Sequence, residues 1–119
     1  MRPTTDELLN FEVINGLKEL GEGDEDSFFQ EIVGLYIDQA QDLIDEIKAN
    51  AASGEADKLG KTAHTLKGAS LNVGARLFAD VCKTIELAGK TGNLEGIDVE
   101  VGKLDELHEF TVEELKNQY

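Results

Sequence analysis

Residues 59–70 read LGKTAHTLKGAS and carry both the fold signal and the chemical signal of this chain. Apolar or small residues recur at Leu59, Ala63, Leu66 and Ser70, and this spacing is typical of one face of an α-helix. At about 100° per residue, the four positions lie within about 60° of one another. The pattern therefore predicts an amphipathic helix that buries this seam.

His64 lies on the other side of that predicted helix, about 130° from the centre of the seam. A histidine in a helical bundle most often packs in the core, and this position disfavours that interpretation. Gly60, Lys67, Gly68 and Leu71 share the outer face. We therefore predict that His64 is exposed and that Gly60 and Leu71 belong to a docking face around it.

Lys67 and Gly68 place a cation and a gap beside His64, because residues three and four apart are neighbours on a helix. The ammonium of Lys67 could reach a phosphoryl oxygen as a point charge. The alternative is that Lys67 is only solvated, as most lysines on helix surfaces are. A glycine in a helix interior costs roughly 1 kcal/mol relative to alanine. At position 68 it leaves space for a phosphoryl group and for the partner that delivers it.

The rest of the chain shows helical periodicity without a strand-like alternation. Helices are predicted over 11–20, 27–52, 55–72, 75–90 and from 94 to the end. Asp24 or Asp26 would cap the second of these helices, and residues 1–10 would be poorly ordered or would cap the bundle. Short connections between long helices favour antiparallel neighbours. We therefore predict one all-α domain over residues 1–119, an up-down four-helix bundle with a short additional N-terminal helix.

Composition limits the partners of the domain. The 119 residues carry a net charge of −14, which argues against nucleic-acid and anionic-membrane binding. Residues 58–90 reverse this balance, with six cations against two anions. The reversal favours an anion near His64, although chance clustering on one hairpin is the alternative. The single cysteine, Cys82, excludes an internal disulfide and fits a reducing compartment, so we expect a cytoplasmic protein.

The remaining residues with reactive or charged side chains are interpreted as structural. His108 lies close to an apolar stripe and is interpreted as a core-edge residue, and Cys82 as a small packing residue. The acidic residues follow helix faces. Neither a P-loop glycine pattern nor a metal-ligand cluster is present in the sequence. We therefore predict no cofactor, no metal site and no autonomous use of ATP.

A longer pattern begins at His64 and continues into the next predicted helix. It consists of HTLKGAS at 64–70, then Asn72, Gly74-Ala75, Leu77 and Cys82. With this pattern the chain resembles a histidine-containing phosphotransfer (HPt) domain, from about Phe11 to its end. The resemblance implies a four-helix bundle that displays the phosphoacceptor on an exposed helix face.

The resemblance also implies roles for individual residues and partners. His64 would take a phosphoryl group from the aspartate of a receiver domain and pass it to another receiver. Lys67 would support the phosphate and Gly68 would give access. The implied partners are receiver domains of response regulators or a hybrid histidine kinase, and Mg²⁺ would come from the receiver.

One position departs from the family pattern. Family members often carry glutamine near the imidazole on the following helix, and Glu86 holds that place here. A carboxylate could orient the ring by accepting a hydrogen bond from Nδ1–H, but it would also repel a phosphoryl group. Lys90, one turn further on, would be a second cation near the site.

Two alternatives compete with a relay module. The phosphoacceptor domain of a chemotaxis-type histidine kinase shares the His-x-x-Lys-Gly core. From a different class, a non-catalytic helical adaptor could carry an incidental histidine. We expect the domain to be a monomer, because every predicted helix already has a bundle core in which to bury its stripe.

Overall fold

The computed structural model describes residues 2–21 and 23–119, which contain six α-helices and no strand. Met1 and Glu22, which fall in the predicted N-terminal segment and the predicted break before the second helix, lie outside the described residues. The helices are α1 (Thr5–Leu8), α2 (Phe11–Glu19), α3 (Glu25–Ser53), α4 (Ala56–Asn72), α5 (Arg76–Thr91) and α6 (Ile97–Lys116).

The four long helices form the predicted bundle. Helix α3 packs on α4, α4 on α5, α5 on α6, and α6 returns to α3. Each contributes fully buried aliphatic or aromatic side chains to one core: Phe29, Val33, Ile44, Leu59, Leu66, Phe78, Ile85, Leu104 and Leu115. The all-α, up-down architecture is therefore confirmed. Among the described helices, none combines the length and the apolar character needed to cross a bilayer.

The ends of the long helices fall within three residues of the predicted positions. Helix α3 ends at Ser53 and is capped by Gly54, whose φ of 72° is left-handed, as glycine readily permits at a helix C-terminus. Asp24 occupies the N-cap position of α3, but its side chain makes no cap hydrogen bond with a described residue. The cap predicted there is therefore confirmed in position only.

The N-terminal segment differs from the prediction. It forms two short helices instead of one, and α1 begins with a capping box in which Glu7 N donates to Thr4 Oγ1 at 3.2 Å and Thr4 N donates to Glu7 Oε1 at 2.9 Å. Leu8 and Leu9 follow it and are fully buried. Residues 2–10 therefore contribute to the core through these two leucines, and the expectation that residues 1–10 are poorly ordered or cap the bundle stays a prediction.

The α4–α5 turn holds this segment in place. Asn10 N donates to Gly74 O at 2.7 Å, and the Arg76 guanidinium donates to Leu9 O at 2.7 Å. Gly74 has a φ of 82°, and a Cβ there would lie 2.8 Å from Asn10 O. Glycine is therefore required at this position both by the backbone conformation and by the close approach of the N-terminal segment.

The second histidine, His108, packs inside the bundle. It is 8 % exposed, and its ring lies 5.7 Å from that of Phe78 and 6.5 Å from that of Tyr36, centroid to centroid. Its Nδ1 is buried without a hydrogen-bond partner among the described residues. Cys82 is also fully buried, and burial raises the pKa of its thiol to about 12. Both placements agree with structural roles, although both residues lie deeper than predicted.

Replacing His108 with phenylalanine should reduce the loss of stability on acidification. Burial lowers the pKa of His108, while Asp105 and Glu109 oppose the effect. Below about pH 6.5 the unfolded chain therefore binds more protons than the folded one, and the stability attributable to neutral His108 falls as pH falls. Urea unfolding at pH 7.5 and pH 5 should show that wild type loses more stability between the two pH values than His108→Phe does. Equal losses in the two proteins would contradict the burial of this ring.

Candidate functional site

His64 projects from the middle of α4 into solvent. Its side chain is 66 % exposed, whereas Leu59, Ala63 and Leu66 on the opposite face are fully buried. The helical spacing predicts this placement. Ring Nδ1 lies 2.7 Å from Oε2 of Glu86 on α5. The neighbouring helix therefore anchors the imidazole at one of its two nitrogens.

Glu86 is a buried carboxylate on which three side chains converge. Its side chain is 3 % exposed. Lys67 Nζ donates to Oε1 at 2.5 Å, and Lys90 Nζ lies 3.1 Å from Oε2. The hydrogen bond from Lys67 contributes most to lowering the pKa of Glu86 to about 2; burial opposes this, and Lys90 and His64 assist it. Glu86 is therefore ionised at neutral pH.

The charge on Glu86 decides which nitrogen of neutral His64 carries the proton. An ionised carboxylate can only accept, so the proton in the 2.7 Å hydrogen bond must be on Nδ1. In the neutral ring the lone pair then lies on Nε2, for which the described residues provide no hydrogen-bond partner. The arrangement presents Nε2 to solvent as a potential nucleophile.

Lys67 is placed beside His64 as predicted, but it is not a free cation. Its side chain is 23 % exposed and its ammonium is paired with Glu86. This pairing bears on the repulsion expected between Glu86 and a phosphoryl group. Lys67 and Lys90 together offset one carboxylate with two positive charges, so the cluster is attractive to an incoming anion. The sequence pattern could not show the pairing of Lys67 with Glu86, because these two residues lie on different helices.

Gly60 is not part of the exposed face, and its assignment to a docking face is wrong in that respect. The residue is buried, and a Cβ built on it would lie 3.3 Å from Gly89 Cα and 3.4 Å from the backbone oxygen of Glu86. The α4–α5 interface therefore reaches further around α4 than its apolar seam indicates, because α5 also lacks a side chain at the contact.

Gly68 and Leu71 lie on the open side of His64. A Cβ at Gly68 would meet no heavy atom of the described chain within 4 Å, and Leu71 is 48 % exposed. Space for an approaching partner is thus present where the sequence predicts it. The roles of Gly68 in access and of Leu71 in docking stay predictions.

A groove of about 480 Å³ runs beside the imidazole between α4 and α5. Gly60 and Gly89 form part of its lining, together with Lys61, His64 and Lys90. Sequence reasoning missed Gly89 and Lys61. A signal for Gly89 exists in the sequence, because a glycine three residues after Glu86, inside a helix, needs a reason for its unfavourable propensity.

Comparison with known proteins agrees with this geometry. The family model of the Hpt domain matches residues 31–118. Among solved structures, the chain is similar to histidine-containing phosphotransfer protein B (HptB) from Pseudomonas aeruginosa PAO1, with 24 % identity, 92 % of each chain covered and a TM-score of 0.83. It is also similar to a candidate histidine-containing phosphotransfer protein from rice, with 22 % identity, 97 % of this chain and 88 % of that chain covered, and a TM-score of 0.66.

No curated protein matches the sequence significantly. At such low identities the two solved structures support the fold alone. The family match spans most of the chain and favours phosphotransfer over both alternatives, the chemotaxis-type kinase domain and the adaptor. This chain therefore belongs to the Hpt domain family, whose members carry phosphoryl groups on histidine in phosphorelays.

Proposed function

We propose that His64 is the phosphoacceptor of this domain, and that it takes a phosphoryl group from a receiver aspartate and returns it to another receiver. The observation that carries the proposal is the hydrogen bond between Nδ1 of an exposed His64 and buried Glu86. The only other histidine, His108, is buried. A partner could therefore approach His64 without any opening of the bundle.

The transfer step follows from the tautomer. The Nε2 lone pair attacks the phosphorus of the aspartyl phosphate, an N–P bond forms, and the bond from phosphorus to the carboxylate oxygen breaks as aspartate leaves. The ring keeps its proton on Nδ1 and gains positive charge as the new bond forms. Ionised Glu86, 2.7 Å away, stabilises that charge and holds the ring in the attacking orientation.

The lysines would respond to the arriving phosphoryl group. Lys67 and Lys90 both pair with Glu86, and each side chain is long and flexible enough to be shared with a phosphoryl oxygen. We propose that Lys67 makes this contact, because it follows His64 by nearly one helical turn. Lys90 would keep the carboxylate paired meanwhile, so that Glu86 is not left as a buried charge without a partner.

Any metal ion would come with the receiver. The oxygens of Glu86, the carboxylate nearest the imidazole, are already committed to His64, Lys67 and Lys90. In addition, no group of three or more His, Cys, Asp or Glu side chains in the described chain is placed to hold a metal. We therefore propose a phosphocarrier without autonomous activity, whose partner supplies Mg²⁺ and most of the in-line positioning.

The partners proposed are receiver domains of response regulators or of a hybrid histidine kinase. Although the chain has a net charge of −14, the cationic cluster of Lys67 and Lys90 beside His64 suits the acidic phosphoryl site of such a partner. The monomeric state and the cytoplasmic location stay predictions.

The direct test is incubation of the domain with a phosphorylated receiver protein and Mg²⁺. Label should move to the domain, and it should be labile to acid and stable to base, as a phosphoramidate is. A parallel incubation with ATP and Mg²⁺ alone should give no label. Absence of transfer from several phosphorylated receivers, or labelling by ATP alone, would contradict the proposal.

Glu86 offers a finer test, because glutamine retains an acceptor oxygen for Nδ1–H and alanine does not. We expect Glu86→Ala to slow phosphotransfer on the order of tenfold, through loss of a charge-assisted hydrogen bond to the ring. Glu86→Gln should slow it less, by roughly threefold. Rapid-quench measurement with one phosphorylated receiver gives both rates. Wild-type rates in both variants would show that transfer does not depend on this hydrogen bond.

A further inference from the structure

Two glycines on facing helices touch directly beneath the phosphotransfer site. A Cβ on Gly89 would clash with the backbone nitrogen of Gly60 and would lie 2.5 Å from Gly60 Cα and 2.7 Å from Ala56 O. A Cβ on Gly60 would lie 3.3 Å from Gly89 Cα. These are backbone atoms, which cannot relieve a clash by changing rotamer as a flexible side chain can. Helices α4 and α5 can therefore keep this separation only if position 89 carries no side chain, and a side chain at position 60 would require a smaller shift of the backbone of α5.

The contact lies one turn from the hydrogen bond that orients the imidazole. Gly60 precedes His64 by four residues on α4, and Gly89 follows Glu86 by three residues on α5. The position of a Cβ on Gly60 also lies 3.4 Å from the backbone oxygen of Glu86 itself. A side chain at either glycine would thus push apart the two helix segments that carry His64 and Glu86. The 2.7 Å hydrogen bond between them has little tolerance for such a shift, because hydrogen bonds weaken steeply beyond ordinary distances.

The other helix-interior glycines do not share this environment. A Cβ on Gly34, Gly68 or Gly102 would meet nothing within 4 Å in the described part of the chain. Gly60 and Gly68 flank His64 at equal distances along α4, yet one is pressed against α5 and the other is open. The same residue type therefore serves two purposes on the two sides of the imidazole.

We propose that Gly60 and Gly89 are positioning residues for phosphotransfer: their contact sets the α4–α5 separation at which Glu86 fixes the Nδ1–H tautomer of His64. The expected effect on the phosphotransfer rate rests on the proposed function, whereas the expected effect on the tautomer of His64 does not. The two glycines also form part of the groove beside His64, so a side chain at either would narrow that groove.

The test compares Gly89→Ala, Gly60→Ala and the control Gly102→Ala. The control makes the same chemical change inside α6, where the added methyl group meets no described atom within 4 Å. Two-bond proton–nitrogen correlation spectra of the histidine rings report the tautomer of His64 in each protein. Phosphotransfer from a receiver is measured separately, and circular dichroism reports helix content.

Wild type and Gly102→Ala should both show the Nδ1–H tautomer of His64. Gly89→Ala should show a mixture with the Nε2–H form and a phosphotransfer rate lower on the order of tenfold. Gly60→Ala, with its longer contacts, should show a smaller change in the same direction. If Gly89→Ala does not fold, the tautomer of His64 in Gly60→Ala tests the proposal. Ring nitrogen signals identical to wild type in a folded variant would overturn the proposal. An altered tautomer in a domain that is phosphorylated elsewhere would support this inference and refute only the role of His64.

Discussion

Replacing His64 with glutamine is expected to abolish phosphorylation of the domain completely. Glutamine has no nitrogen lone pair able to attack phosphorus, because its amide lone pair is delocalised into the carbonyl group. The site offers no substitute, since Lys67 and Lys90 are paired with Glu86 and Cys82 is fully buried. Labelling by a phosphorylated receiver should fall to the background of the assay.

The fold should survive this change. The His64 side chain is 66 % exposed, and glutamine is a good helix former. Receiver binding, measured by titration calorimetry, should therefore stay within a few-fold of wild type. His108→Phe serves as the matched control, because it removes the other histidine and should leave labelling unchanged. Residual acid-labile label on His64→Gln would show that another residue is the acceptor, whereas an unchanged cellular effect of the unlabelled variant would favour an adaptor.

The second large effect is expected at Gly68. Glutamine at this position should raise the stability slightly, by about 0.5 kcal/mol, because glycine is a poor helix former and the new side chain meets no described atom within 4 Å of its Cβ. Phosphotransfer should nevertheless fall on the order of 100-fold, because the side chain would occupy the space beside the imidazole and displace the partner from the in-line geometry. Thermal unfolding and rapid-quench transfer measure the two effects.

Gly102→Gln is the control for this prediction. It adds the same side chain to an open position on α6, away from His64, and should give the same gain in stability with no loss of rate. If the Gly68→Gln domain is stabilised and still transfers the phosphoryl group at the wild-type rate, the prediction that Gly68 gives access to His64 is wrong. The uncharged side chain ensures that electrostatic repulsion of the partner cannot account for the result.

The sequence predicted the features that depend on a single helix. The spacing of Leu59, Ala63 and Leu66 was enough to place the buried face of α4, and with it the exposure of His64. The boundaries of the four long helices followed from the same periodicity. The capping box of Thr4 and Glu7 was also readable in the sequence, but such a short helix has little periodicity of its own.

The features that depend on two helices could not be predicted in the same way. Gly60 was assigned to the outer face because a helical wheel contains no information about the neighbouring helix. Its burial results from Gly89, which allows the backbone of α5 to approach. The pairing of Lys67 with Glu86 likewise depends on the α4–α5 distance. Sequence alone placed a cation near His64 but did not show what the cation contacts.

Phosphotransfer by this domain requires Nε2 of His64 to be the free, reactive nitrogen while Nδ1 is held by Glu86. Phosphorus–nitrogen coupling in the ¹⁵N-labelled, receiver-phosphorylated domain tests this most directly. We predict one phosphoramidate, with phosphorus coupled to Nε2 of His64 and a proton retained on Nδ1. Coupling to Nδ1, or to either ring nitrogen of His108, would contradict the account.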